Sequence, residues 1–243
     1  MLVSAINKYN IKSSHLFNPK VVLFDMDGVL YDSMKYHDKA WQKVMSDIGI
    51  KFTSDDSYAT EGARGVDTIR LYAKKQLNKN LTIDEAETIY QTKANYYHKL
   101  NKTPKIFDGM IELMGKIKKD GLKIGIVTGS GQPVLIERLL QDFKGFITKD
   151  QITSAFDVSR GKPNPEPYLV GLKKAGNFAP YEGIVVENAP LGIRSGVGAG
   201  CFTIAINSGP LPNSDLLKER PNMIFPSIRE FYTHWDEFIT CVR

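Results

Sequence analysis

The sequence predicts an α/β fold: a doubly wound parallel sheet with a small α-helical domain inserted after the first strand. Three observations carry this reading. Short, largely apolar runs recur at Val21–Phe24, Lys123–Val127, 183–186, Phe202–Ile206 and Met223–Phe225, as strands buried on both faces would be written. Helical patterns such as 133–140 and 167–175 separate several of the runs, and that alternation favours parallel strands joined by crossover helices. Between the first and second runs lies a stretch of about 85 residues with no comparable apolar run, far longer than one crossover helix requires.

Taken in order, the first run stops at a carboxylate, Asp25, as a strand does on reaching the edge of a sheet. From 35 to 103 the pattern is helical, with Ala40, Trp41, Val44, Met45 and Ile48 at three-to-four spacing, then Ile69, Tyr72, Ala73 and Leu77. The expected division is therefore a core of 1–34 and 104–243 and a helical cap of 35–103, with linkers near 33–35 and 102–108. The remaining four runs complete the sheet. In such sheets ligands bind beyond the carboxyl ends of the strands, so the loops there are expected to hold the site. No internal repeat stands out, and the first 20 residues have no functional reading.

Composition narrows the function classes. A chain of 243 residues, 42% hydrophobic and 24% charged, suits a globular protein with a sizeable core. The formal net charge is +5, but Lys and Arg are dispersed, and the densest cluster, 116–123, reads as the solvated end of a helix. No nucleic-acid partner is expected. Cys201 and Cys241 make neither a disulfide framework nor a Cys/His cluster, and His37, His98 and His234 are scattered. No apolar run approaches the ~20 residues of a membrane span, and the start lacks a signal-peptide pattern. A cytoplasmic monomer with no membrane partner is the expectation.

The strongest chemical signal is Asp25-Met26-Asp27-Gly28-Val29-Leu30-Tyr31-Asp32-Ser33, directly after the first run. Residues i and i+2 of an extended segment project to the same side, and Gly28 permits a sharp turn. Two such carboxylates can divide phosphoryl transfer: Asp25 attacks to form an aspartyl-phosphate, and Asp27 protonates the leaving oxygen and then activates water.

This string resembles the first motif of the haloacid dehalogenase superfamily, and its extension through Ser33 and His37 is similar to the β-phosphoglucomutase-like branch. Three later motifs follow in that family's order. Ile124-Gly125-Ile126-Val127-Thr128-Gly129-Ser130 ends a strand in a hydroxyl that can bond a phosphate oxygen, with main-chain N–H groups of Gly129 and Ser130 beside it. In Gly161-Lys162-Pro163-Asn164-Pro165-Glu166-Pro167, Lys162 is expected to neutralise the attacking carboxylate and the transferring group. Val185-Val186-Glu187-Asn188 ends another strand in oxygen ligands. The resemblance implies a Mg2+ ion held by Asp25, the main-chain carbonyl of Asp27, Glu187 and Asn188. Asn188 departs from the family's usual Asp and removes a charge. His37 matches a family position near the hinge, close enough to touch Asp27.

Look-alike motifs carry nothing further. Gly196-Val197-Gly198-Ala199-Gly200 follows a helix and precedes a strand, the reverse of a dinucleotide fingerprint, and reads as a helix stop and close-packing turn.

The resemblance identifies the chemistry better than the acceptor. A mutase holds a second phosphate in its cap, where the β-phosphoglucomutases carry a basic residue just before a glycine and an arginine three residues after it. Aligning Gly62 with that glycine puts Glu61 and Gly65 at those positions, leaving Arg64 as the adjacent candidate and Arg70 further off. Gly131 and Gln132 also stand where the mutases have Lys and Asn. The expected function is a Mg2+-dependent phosphatase of sugar phosphates or similar small phosphorylated metabolites, with β-phosphoglucomutase as the alternative. Dehalogenation does not need Asp27, and a catalytically dead module does not need Asp25, Asp27, Thr128 and Lys162 together.

Overall fold

A computed structural model describes residues 2–242, so the outermost residue at each end of the expected core lies outside the described residues. Six strands form one parallel sheet: β1 (Val21–Phe24), β2 (Lys123–Val127), β3 (Ile152–Thr153), β4 (Gly183–Glu187), β5 (Phe202–Ile206) and β6 (Met223–Phe225), in the order β3-β2-β1-β4-β5-β6. Five of these fall on the apolar runs. The two-residue β3 was not anticipated, because so short an edge strand has no periodicity to read.

Alternation explains why the runs are apolar throughout. Val22 and Phe24 of β1 face one apolar cluster with Ile124, Ile126, Ile184 and Val186, while Val21 and Leu23 face another with Val127, Tyr168, Leu172 and Val185. Helices α1 (Leu2–Ser13), α6 (Met110–Lys119), α7 (Pro133–Asp142) and α11 (Ile228–Thr240) cover the first face. Helix α8 (Glu166–Gly176) packs on the second, and α9 (Pro190–Gly198) and α10 (Asn213–Lys218) enclose a small cluster of Ile193, Ala205 and Leu216 beside it. The sheet is wound on both sides, as expected.

Helix α1 lies in the segment without a sequence reading. Its Leu2, Ile6 and Tyr9 are buried, and Phe17 behind them stacks on Phe202 at 4.5 Å between ring centroids. The Tyr9 hydroxyl donates to the Gly200 carbonyl at 2.7 Å.

Between β1 and β2 run α2 (Met34–Asp47), α3 (Ser54–Ala59), α4 (Gly65–Leu77) and α5 (Ile83–Leu100), within or at the edge of the segment expected as a cap. These helices enclose their own apolar cluster of Trp41, Met45, Ile50, Phe52, Ile69, Tyr72, Ala73 and Ala86. Capping boxes at Thr53/Asp56 and Thr82/Glu85 start α3 and α5. The Tyr72 hydroxyl donates to Asp56 at 2.7 Å and ties α3 to α4. No helix among the described residues is long and apolar enough to cross a membrane.

Candidate active site

The central strand sets the geometry. In β1, Phe24 is in register with Ile126 of β2 and Val186 of β4, so Asp25 emerges between the ends of both neighbours. This is the point where the winding of the sheet reverses, and three of the four sequence motifs meet there. The fourth, Lys162, arrives from the loop before α8. Its ammonium donates to Asp25 Oδ1 at 2.5 Å, Glu187 Oε1 at 2.6 Å and the Val127 carbonyl at 2.9 Å.

Glu187 is wholly buried and fully engaged. Its Oε1 also accepts from the Tyr168 hydroxyl at 2.7 Å, and its Oε2 from the main-chain amides of Asn188 and Ala189. The side chain expected from sequence as a metal ligand thus also bonds Lys162. Burial pushes the Asp25 carboxyl up to about 8, with Glu187 and Asp27 adding to the effect and Lys162 opposing it. Burial works against the Lys162 charge too, but Asp25 and Glu187 outweigh it and hold the ammonium at about 12.

Asp27 Oδ1 accepts from Ser33 Oγ at 2.5 Å and lies 3.0 Å from His37 Nε2. His37 Nδ1 in turn lies 2.6 Å from Lys93 Nζ. A neutral His37 protonated on Nε2 satisfies both contacts, donating to Asp27 and accepting from Lys93. The imidazole stacks on Tyr97 at 3.9 Å, and the Lys93 ammonium sits over the rings of Trp41, Tyr97 and Tyr90. Burial pulls Lys93 down to about 7 despite the attraction of Asp27. Burial, then Lys93, lowers His37 as well. For Asp27, burial is outweighed by His37, Ser33 and Lys93, so its carboxyl sits below the usual range.

Asp25, Asp27, Thr128, Gly129 and Ser130 line one cavity of about 60 Å3, whose other wall is the helical unit: His37, Trp41, Ser57, Thr60, Glu61, Gly62, Tyr90 and Lys93. The contact between the halves is close. A Cβ on Gly129 would stand 2.7 Å from the Gly62 carbonyl oxygen, so only glycine allows that approach. Gly28, at φ +82°, would drive a Cβ into Asn188 and Glu61.

Thr128 Oγ1 accepts from the Ser130 amide at 3.0 Å, which spends the N–H that the sequence assigned to phosphate. Helix α7 begins only at Pro133, three residues beyond Ser130. Arg64, expected beside the substrate, forks onto Asp67 at 2.7 and 3.1 Å and lines a neighbouring cavity of about 200 Å3 instead.

Two side chains central to this site were not assigned a role from sequence. Lys93 lies mid-helix in α5 on the buried stripe of Ala86, Ala94 and Tyr97, and a lysine on an apolar stripe was the available signal. Glu61 reaches from the helical unit to accept from Asn188 Nδ2 at 2.5 Å. Burial, with Asp25, Glu187 and Asp27 nearby, raises its carboxyl well above the ordinary range despite the Asn188 bond. No local pattern identifies this pair, which joins residues 127 positions apart.

Comparison with known proteins agrees with this arrangement. A family model described as haloacid dehalogenase-like hydrolase matches residues 22–206. Hexitol phosphatase A of Escherichia coli (strain K12) is 30% identical over 189 residues, covering 78% of this chain and 83% of its own. Beta-phosphoglucomutase of Bacillus subtilis (strain 168) is 25% identical over 228 residues, covering 90% and 96%. A solved structure described as "Putative beta-phosphoglucomutase from Bacteroides vulgatus" superposes with a TM-score of 0.95 at 40% identity, covering 100% of this chain and 98% of that one. With the motifs in order on a doubly wound sheet and the family model matching most of its length, the chain belongs to the haloacid dehalogenase superfamily, in its β-phosphoglucomutase-like phosphatase branch.

Proposed function

We propose that this protein is a Mg2+-dependent phosphatase of sugar phosphates or similarly small phosphorylated metabolites, working through an aspartyl-phosphate on Asp25. The carrying observation is the pairing of two carboxylates in one cavity with opposite surroundings. Lys162 holds Asp25 by one oxygen, ready to attack phosphorus, whereas Asp27 is held by Ser33 and His37. Attack by Asp25 breaks the ester bond, and the leaving oxygen takes a proton that passes from Lys93 through His37 and Asp27 to reach it, which leaves Asp27 ionised. Asp27, ionised again, then removes a proton from the water that cleaves the acyl phosphate. Thr128 supplies a hydroxyl for the transferring oxygens. Helices α2–α5 act as the cap, excluding bulk water while these steps run.

The donors present suit Mg2+. Asn188 Oδ1 is buried with no hydrogen-bond partner, as a cation ligand would be. Among the described residues no three His, Cys, Asp or Glu side chains form a ready-made cluster, so the set is a mixed one. Asp25, the Asp27 carbonyl and Asn188 would hold the ion, with Glu61 adjacent to them, and Glu187 would act through Lys162 rather than directly. When bound, Mg2+ would offset the crowded carboxylates and polarise the transferring phosphoryl group.

The mutase reading is weaker. Among the described residues lining the cavity, the basic side chains are His37 and Lys93, both engaged behind Asp27, and Arg64 faces away. A second reading within hydrolysis is favoured by the size of the cavity. A water needs roughly 10–15 Å3 on this measure, so about 60 Å3 suits a phosphoryl group with a leaving group of few atoms. Inorganic pyrophosphate, whose leaving group is itself phosphate, is a small case of that kind.

Phosphate release from sugar phosphates, both anomers of glucose 1-phosphate and pyrophosphate, with and without Mg2+, tests the proposal. Mg2+-dependent release supports it and ranks the substrates. Isomerisation of the β-anomer without release would replace the phosphatase by a mutase.

A further inference from the structure

The cap wall of the catalytic cavity carries one hydroxyl without a partner. Ser57, on α3, is 1% exposed, lines the cavity, and its Oγ makes no hydrogen bond. Its neighbour Thr60 lines the same cavity but satisfies itself, donating to the Asp56 carbonyl at 2.8 Å. A helical serine ordinarily has the same escape through the carbonyl four residues back, here Thr53, which accepts the Ser57 amide but not its hydroxyl. The position of α3 is also held: Thr53 and Asp56 cap it reciprocally, and Tyr72 bonds Asp56 from α4. Ser57 is thus a buried polar group held toward the reacting centre by a braced helix, and such groups find partners.

We infer that Ser57 is a specificity-determining residue that hydrogen-bonds an oxygen of the leaving group, beyond the ester oxygen that Asp27 protonates. This rests on the phosphatase reading above. The cavity places Asp25 and Thr128 on the core side, where the transferring phosphoryl group belongs, and Ser57 on the cap side, where the remainder of the substrate must lie. The shared chemistry is an oxygen close behind the scissile bond. A sugar hydroxyl supplies one, and so does the second phosphate of pyrophosphate.

Ser57→Ala suits a helix and removes only the hydroxyl. Steady-state kinetics would compare it with the parent and with Ser57→Thr on three substrates: glucose 6-phosphate, pyrophosphate and phenyl phosphate, whose leaving group has no further oxygen. The expected result is a tenfold or greater fall in kcat/KM for an oxygenated substrate, mainly through KM, with phenyl phosphate within twofold of the parent and recovery in Ser57→Thr. The arm that falls identifies the source of the oxygen. An equal loss on all three substrates would make Ser57 merely structural, and no loss on any would mean its hydroxyl meets only water; either overturns the inference while leaving the phosphatase reading intact. If the parent turned over none of the three, both would fall together.

Discussion

Lys93 is where burial and charge conflict most openly. Its ammonium is packed among aromatic rings and bonded to His37, and among the described residues it forms no direct ion pair with a carboxylate. Replacing a buried cation by an apolar side chain of similar length is often neutral or stabilising, so Lys93→Met is expected to fold at least as well as the parent. It should nonetheless lower kcat about tenfold or more by cutting the proton route behind Asp27. Because Lys93 helps depress His37, the His37 titration followed by NMR should move upward in the variant; an unmoved midpoint would mean the two groups are not coupled.

Asp25 gives a second test at this scale. Its folded pKa of about 8 lies above the unfolded value near 4, so its stability contribution is complete below about pH 4 and is lost as pH rises through 8. Asp25→Asn should therefore flatten the fall in metal-free stability between pH 5 and 8, by up to ~1.4 kcal/mol per pH unit, measured by urea unfolding. The same variant should form no phosphoenzyme. Identical pH slopes for variant and parent would show Asp25 already ionised throughout that range.

Among the elements, α1 shows how a segment without a motif can still stabilise the core. Leu2, Ile6 and Tyr9 recur at helical spacing, and Phe17 closes the cluster against Phe202 and Phe238. Deleting a buried aromatic ring typically costs 3–5 kcal/mol, so Phe17→Ala should lose about 3 kcal/mol of unfolding free energy. Phe17 belongs to the cluster under α1 and is absent from the cavity wall, so KM should be unchanged; a large KM shift would tie α1 to the site.

For the molecule as a whole, the decisive feature is how the helical unit α2–α5 meets the sheet. Tyr90 stands between the catalytic cavity and the larger one beside Arg64, and a Cβ on Gly65 would already collide with its ring at 2.2 Å. Tyr90→Ala should join the two spaces. The expected outcome is a gain of about tenfold in kcat/KM for a bulky phosphate ester relative to a small one. An unchanged ratio would place the leaving group elsewhere.

Much of this was legible in the sequence, for physical reasons that can be named. Strands buried on both faces are written as apolar runs, so five of the six were readable, and the motifs at their ends placed Asp25, Asp27 and Thr128 on one edge, while Lys162, in the loop before α8, was readable only through the order of the family's motifs. The amphipathic spacing of 35–103 likewise exposed the helical insertion. What only the tertiary structure decided is pairing between distant elements: Lys162 with Glu187, Lys93 behind His37, and Glu61 holding Asn188 from across the cavity. A residue's type and local period set what it can bond and which face it occupies, but packing alone decides which partner is brought within 3 Å of it.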